Sequence, residues 1–409
     1  MVRLGAVSFA TRHVGKAMLW HGVLVGVHGN LRGGAPGANE SNGSYSLDWE
    51  ASGESFFDGF DFLPEDVNHG AVDFVSSYAD AQLAGVARIS GSHAILRTGR
   101  RSTKAFKRMS PKIATKKSWK HFLAAVHFKH LPWGCGVWPS FFTLGEGKWP
   151  AAGEMDILEY VNDGTSMTSF HTSKECRLDE AKVNKYRSMP DANSKGNDNS
   201  NYNCLTTYCA TCKSLGCAPN AMPLLTGQQM ADRPGVFAME RTASFTKIFF
   251  IPSWAIPADL DAGRPTPEAW DQWIISYYPF GDSESTCPEP DDIMAKQRFV
   301  LQIELCGDWA SKVWGDSAVC SRMGPFFDET ATKDKTFINS TLSPKRCRAV
   351  DPLAENVPEQ DCCHQFITDA DGDYRSAQYL HENAFFKIAW FKVFTTASPI
   401  LRPLNASDL

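Results

Sequence analysis

The sequence predicts an all-β chain built as an antiparallel sandwich, and three observations carry that expectation. Short runs rich in aromatic and β-branched residues recur along the chain, Gly, Pro, Asn and Asp cut between them, and no long stretch has helical periodicity. Strands are expected at Phe122–Phe128, Ser169–His171, Val236–Glu240, Thr246–Ile251, Arg298–Leu305 and Phe385–Phe394, each of strand length and bounded by turn residues. In the last of these, strict alternation would place Phe386, Ile388, Trp390 and Lys392 on one face and Phe385, Lys387, Ala389, Phe391 and Val393 on the other. The polar stretch Lys182–Asn203 and the tail after Thr396 read as solvated loops. No internal repeat and no clear linker divides the chain.

The 409 residues, 43% apolar and 21% charged, exclude disorder, collagen and coiled coil. A formal charge of −5 offers no global attraction to nucleic acid or an anionic membrane, and no apolar run reaches the length of a membrane span. Ala17–Val27 is apolar, follows Arg3, Arg12, His13 and Lys16, and precedes small residues from Gly33 to Ala38. That order predicts a signal peptide over residues 1–38, with a disordered extension as the alternative. A domain over residues 39–396 and a tail over 397–409 follow. Twelve cysteines, four of them at Cys204, Cys209, Cys212 and Cys217, favour an oxidising compartment, and sequons at Asn39, Asn42, Asn339 and Asn405 are compatible with glycosylation.

The sharpest feature is Trp149-Pro-Ala-Ala-Gly-Glu154-Met-Asp156-Ile-Leu-Glu159-Tyr-Val-Asn162. Its three carboxylates lie in an apolar, strand-like run, where a buried charge costs several kcal/mol unless paired or used. Glu154 and Asp156 share a face by the period of two, and Glu159 joins them only if a β-bulge around Ile157 and Leu158 adds a residue. Two carboxyl groups so placed suit a retaining glycosidase, one as nucleophile and the other as acid and then base. A solvated surface strand and a metal site made of the same oxygens are the alternatives.

With this signature in place, the chain resembles glycoside hydrolase family 16, in particular the fungal-type laminarinases, the endo-1,3(4)-β-glucanases. The likeness rests on Glu154-x-Asp156-x-x-Glu159 preceded by Leu131–Pro139, and on Ser55–Phe62, Phe170-His171-Thr172, Gly235–Glu240, Ile256-Pro257, Cys306–Trp309 and Asn383–Phe394 in order, so it spans Tyr45 to Phe394. It implies a jelly-roll sandwich of two curved antiparallel sheets, concanavalin A-like, with a concave substrate cleft. It also implies Glu154 as nucleophile, Asp156 as the assisting acid, Glu159 as acid/base, and Trp138 and His171 as sugar contacts. No cofactor and no catalytic metal is implied. The expected partner is a β-1,3 or mixed β-1,3/1,4 glucan, cleaved internally with retention by a secreted, monomeric enzyme. A glucan-binding lectin and a transglycosylase on the same sandwich are the alternatives. Three positions depart from the family pattern at presumed sugar contacts: Phe142 and Arg241 stand where Trp is usual, and Ser253 where Arg is usual.

Other features carry less. The spacing of Cys204, Cys209, Cys212 and Cys217 suits disulfides better than structural zinc. Asp369-Ala-Asp371-Gly-Asp373 fails as an EF-hand loop because Tyr374 replaces the required Gly, leaving only a looser calcium site. Arg97–Lys120 holds ten Lys or Arg and no acid, and reads as a solvated surface. Among Trp133, Trp138, Trp149, Trp254 and Trp309, only Trp138 is favoured as a sugar platform.

Overall fold

The computed structural model describes residues 44–396, apart from 105, 185–201, 207–215, 220–224, 232, 281–286, 288–289, 321–355, 357–360 and 369–375. The N-terminal extension expected over 1–38, the tail, Cys209, Cys212 and the Asp369–Asp373 cluster fall outside the described residues. Most of the Lys182–Asn203 loop does too, although its first three residues close a short helix, Glu180–Asn184.

The first strands in chain order are β1 (Tyr45–Ser52), β2 (Phe60–Phe62), β3 (Val72–Phe74), β4 (Ala87–Ser90), β5 (His93–Arg97), β6 (Arg108–Ser110), β7 (Lys112–Thr115) and β8 (Phe122–His130). They are followed by β9 (Val137–Gly145), β10 (Glu154–Glu159), β11 (Met167–His171), β12 (Gly235–Arg241), β13 (Phe245–Pro252), β14 (Ile274–Pro279), β15 (Gln297–Leu305) and β16 (Phe385–Thr396). One sheet runs β14-β13-β12-β8-β16-β5-β4, with β1 also paired to β16, and a six-stranded sheet runs β11-β10-β9-β15-β7-β2. Both are antiparallel, as the residue pattern predicts, and together they make the jelly-roll sandwich that the family resemblance implies. The pair β3–β6 is parallel, the one exception to that expectation among the described strands.

The inward faces are aromatic. Phe391 of β16 meets Phe299 of β15 at 5.3 Å and Phe141 of β9 at 5.7 Å, and Phe128 of β8 meets Phe141 at 5.8 Å, all near edge-to-face. Each such side chain removed from water contributes about 1.5–3 kcal/mol, which ties the two sheets together. On its other side the eight-stranded sheet carries a second apolar layer, in which Leu260 and Trp270 cover Leu123, Ala125, Val236, Ala238, Phe249 and Ile251.

All six expected strands are present. The strict alternation expected along the last one is not. The pairing of β16 with β8 shifts register between Ile388 and Trp390, so Phe386 and Ile388 share the inner core with Phe391 and Val393, while Trp390 joins the outer layer with Phe394. A bulge reverses the faces halfway.

The basic stretch is dispersed rather than gathered into one patch. Arg108 is buried and donates to the Gly99 and Ile367 carbonyls, while Lys104, Lys107, Lys117 and Lys120 pair with Asp73, Asp66, Asp48 and Asp291.

Candidate active site

Strand β10 is amphipathic in the way the bulge requires. Met155, Ile157 and Leu158 are fully buried in the core between the sheets, and Glu154, Asp156 and Glu159 face outward. Against β9 the register jumps between Asp156 and Leu158, leaving Ile157 as the extra residue; without it Glu159 would point into the core. Gly153 leads the chain in at φ +75°, and a Cβ there would come within 2.6 Å of the Ile293 carbonyl oxygen, so only glycine fits beside the first carboxylate.

Neighbouring strands supply the partners. Opposite Glu159, β9 brings Trp138, whose Nε1 donates to Glu159 Oε1 at 2.8 Å, and Ser140, whose Oγ donates to the same oxygen at 3.1 Å. From β11, Ser169 and His171 share a face by alternation. Ser169 Oγ donates to Asp156 Oδ2, and His171 Nε2 lies 3.0 Å from that oxygen. His171 Nδ1 lies 3.3 Å from Thr206 Oγ1, on a segment that the Cys204–Cys217 disulfide ties down. Trp149 stands over this end, its ring 6.0 Å from the imidazole and 41% exposed.

Burial and crowding set the charges. Glu159 is pushed up to about 8, first by desolvation and then by the charge of Asp156, against the opposing Trp138 hydrogen bond. Glu154 is also raised well above the usual carboxylate range by desolvation and Asp156, with a Trp149 hydrogen bond and Lys112 pulling the other way. Desolvation, the largest influence, would lower His171, but the hydrogen bond to Asp156 and the charges of Asp156 and Glu159 together outweigh it and raise the imidazole. The face thus binds a proton tightly near neutral pH, as acid/base chemistry requires.

One ligand atom from each of Glu154, Asp156 and His171 falls within 4.8 Å of the others, a spacing that a cation could bridge. Asp156 and His171 already satisfy each other, so the arrangement needs no ion to hold it.

Residues 60–348 match the model of the XgeA-like, catalytic GH16 domain, most of the described chain. The chain belongs to glycoside hydrolase family 16. Among curated relatives, a probable glycosidase of Schizosaccharomyces pombe is 30% identical over 68% of this chain and 62% of its own length. An endo-1,3(4)-β-glucanase of Arthroderma benhamiae is 29% identical over 70% and 60%, and a probable one of Aspergillus clavatus 30% over 68% and 41%. The chain therefore spans about two fifths to three fifths of these relatives' lengths. The GH16 laminarinase 16A of Phanerochaete chrysosporium, solved with two β-glucans in its donor and acceptor sites, shares the fold at a TM-score of 0.61 and 23% identity, over 86% of this chain and all of that one. An elongating GH family 16 β-1,3-glucosyltransferase matches at the same TM-score of 0.61 and 23% identity, over 86% of this chain and all of that one.

Within this GH16 frame the five residues singled out from sequence, Glu154, Asp156, Glu159, Trp138 and His171, come together on one face. Phe142 is there too, paired with Asp156 and packed with Ala114 and Val300 in a small apolar patch. The other two departures are corrected. Arg241 is 0% exposed and donates to the Lys120 and Met294 carbonyls and to Asp291 at 3.3 Å, so it braces the interior. Ser253 lies at the end of β13 in the other sheet, its Oγ 3.3 Å from His127 Nε2. Neither is placed to touch a sugar on the carboxylate face.

Sequence reasoning undervalued Trp149 and Trp309, whose ring meets Trp138 edge-on at 5.6 Å, and passed over Ser140, Ser169, Gln302 and Glu304. The last two lie on β15 beside Ser140 and Trp138. Period-two counting outward from Trp138 and His171 would have found the serines. Cys204 is bonded to Cys217, which removes both from any zinc site.

Proposed function

We propose that this chain is a retaining endo-glycosidase that cleaves β-1,3 or mixed β-1,3/1,4 glucan outside the cell. One observation carries the reading: the bulge in β10 turns Glu154, Asp156 and Glu159 to a single face, where Glu159 holds a proton to about 8. Glu154, which has a hydrogen-bond donor in Trp149 and a cation in Lys112, attacks the anomeric carbon. Glu159 protonates the departing glycosidic oxygen, and a glycosyl-enzyme forms. Glu159, now ionised and still held by Trp138 and Ser140, takes the proton of the incoming water, whose oxygen displaces Glu154. Asp156 lies between the two on the strand, anchored by Ser169 and His171, and burial together with its neighbouring carboxyl makes each of them give up its proton less readily than an exposed carboxyl. Trp138, Trp149 and Trp309 offer ring faces to the sugars.

The names of the curated relatives support the substrate class, and disulfides such as Cys135–Cys320, Cys176–Cys287 and Cys306–Cys363 support an oxidising location. The test is product analysis on laminarin, lichenan and a β-1,4 glucan, with the anomeric configuration of the first product followed by proton NMR. Internal cleavage of laminarin with retained configuration is expected. Inversion, or faster cleavage of the β-1,4 glucan, would overturn the reading.

A further inference from the structure

Among the described residues, the exposed large apolar side chains include two tryptophans: Trp149, beside the carboxylates, and Trp254. Trp254 is 82% exposed and follows β13, on the outer layer of the eight-stranded sheet and so on the opposite side of the sandwich from the carboxylate face. Leaving an indole in water forfeits the burial that normally stabilises it, and this one does not stand singly but beside a second tryptophan, Trp273.

Its surroundings fit a sugar. Trp273 packs on the outer layer and meets Trp254 at 5.6 Å with the ring planes 77° apart, so the two indoles form a corner with one ring as floor and the other as wall. Polar groups continue from that corner. Ser253 Oγ lies 3.3 Å from His127 Nε2, His127 meets Trp390 edge-on at 5.4 Å, and Lys392 Nζ sits 4.9 Å over the Trp390 ring. Desolvation, with Lys129 nearby, pushes His127 down to about 4, so at neutral pH its ring is an uncharged hydrogen-bonding group. Flat aromatic faces with the half-buried Ser253 hydroxyl at their edge, above the buried His127 and Lys392, match the C–H faces and equatorial hydroxyls of a pyranose.

Size decides against a protein partner. Two indoles present roughly 300–500 Å² even when wholly exposed, whereas a stable interface takes about 800 Å² from each side. The perpendicular planes also discriminate between glucans. Successive rings of a β-1,4 chain lie in one flat ribbon, while β-1,3 linkages turn successive rings out of plane, as a corner requires.

We propose that Trp254 and Trp273 form a second β-1,3-glucan platform, on the face of the sandwich opposite the carboxylates. The proposal rests on the substrate class inferred above, and adds a site that holds the polymer while the distant cleft works on it.

The experiment measures depletion of the full chain from solution by curdlan particles, with cellulose as control, beside turnover of laminaripentaose, which is too short to reach both faces. Trp254→Ala should bind curdlan roughly three- to tenfold more weakly, with laminaripentaose kcat/KM held within about twofold, and Trp254→Tyr should restore much of the binding. Unchanged curdlan binding by Trp254→Ala overturns the proposal, as does a wild-type dimer that becomes monomeric in this variant while its curdlan binding stays the same. A fall in binding and turnover together, in the Ala and Tyr variants alike, also overturns it. Should the wild type bind curdlan through Trp254 yet cleave no β-glucan, the catalytic reading fails and the platform stands.

Discussion

Replacing Trp138 by Phe isolates one hydrogen bond in the proposed acid. The indole Nε1 donates at 2.8 Å to Glu159 Oε1, and Ser140 Oγ donates at 3.1 Å to the same atom. Both bonds favour the ionised carboxylate, so losing one must raise the Glu159 pKa further. A hydrogen bond to a charged group contributes about 1.5–3 kcal/mol, and one pH unit corresponds to about 1.36 kcal/mol, which brackets the rise at roughly one to two units. Ser140 remains to hold the same oxygen, so the lower end applies, carrying Glu159 from about 8 to about 9. Glu159 must be protonated to act as acid, and activity therefore falls as pH rises through its pKa. The alkaline limb of the kcat/KM profile on laminarin should move upward by about one unit in Trp138→Phe, while the phenyl ring keeps much of the sugar contact. A limb that stays fixed or moves downward refutes the assignment of Glu159 as the acid.

Three further outcomes are expected. Glu154→Ala should lose turnover almost entirely, and added azide should restore it on an activated aryl glycoside with a product of inverted configuration, checked by NMR; retained configuration would place the nucleophile elsewhere. Because Glu159 holds its proton more tightly folded than unfolded, the stability it contributes is complete below its ordinary value of 4.5 and lost as pH rises through about 8. Glu159→Gln cannot ionise, so between about pH 5 and pH 9 its Tm should fall less than that of the wild type, a difference that scanning calorimetry reads directly. Gly153→Ala combines a left-handed φ of +75° with a Cβ 2.6 Å from the Ile293 carbonyl oxygen, so it should cost about 1–3 kcal/mol of stability and lower kcat by displacing the adjoining Glu154. An unchanged kcat would show that the entry to β10 does not set the nucleophile's position.

The acidic strand was legible because its chemistry conflicts with its surroundings: three carboxylates in an apolar run demand an explanation, and only a bulge reconciles their spacing with a common face. Strands with aromatic and β-branched runs were legible for the same local reason. What escaped is non-local. Nothing within Phe385–Phe394 marks where the register against β8 slips, so the reversal of faces after Ile388 was hidden. Short strands such as β2, β3 and β6 owe their existence to partners far along the chain rather than to their own three residues. Arg241 and Ser253 show the limit of reasoning from a family pattern. A residue type can change at a position without that position facing the ligand, and only packing tells a buried brace from a contact.

The position of β16 has a consequence for how the molecule is made. It lies in the middle of the eight-stranded sheet, with β8 along one edge and β5 and then β1 along the other, so that Tyr45 pairs with Thr396. During synthesis β1, β4 and β5 leave the ribosome early, and β8, β12, β13 and β14 can join one another, but no strand pairing links the two groups until Phe385–Thr396 emerges. Most of the chain must therefore wait with two raw sheet edges and much of its aromatic interior uncovered. A chain halted before Phe385 would hold both half-sheets and lack the strand that joins them, the condition in which unpaired edges find other copies instead.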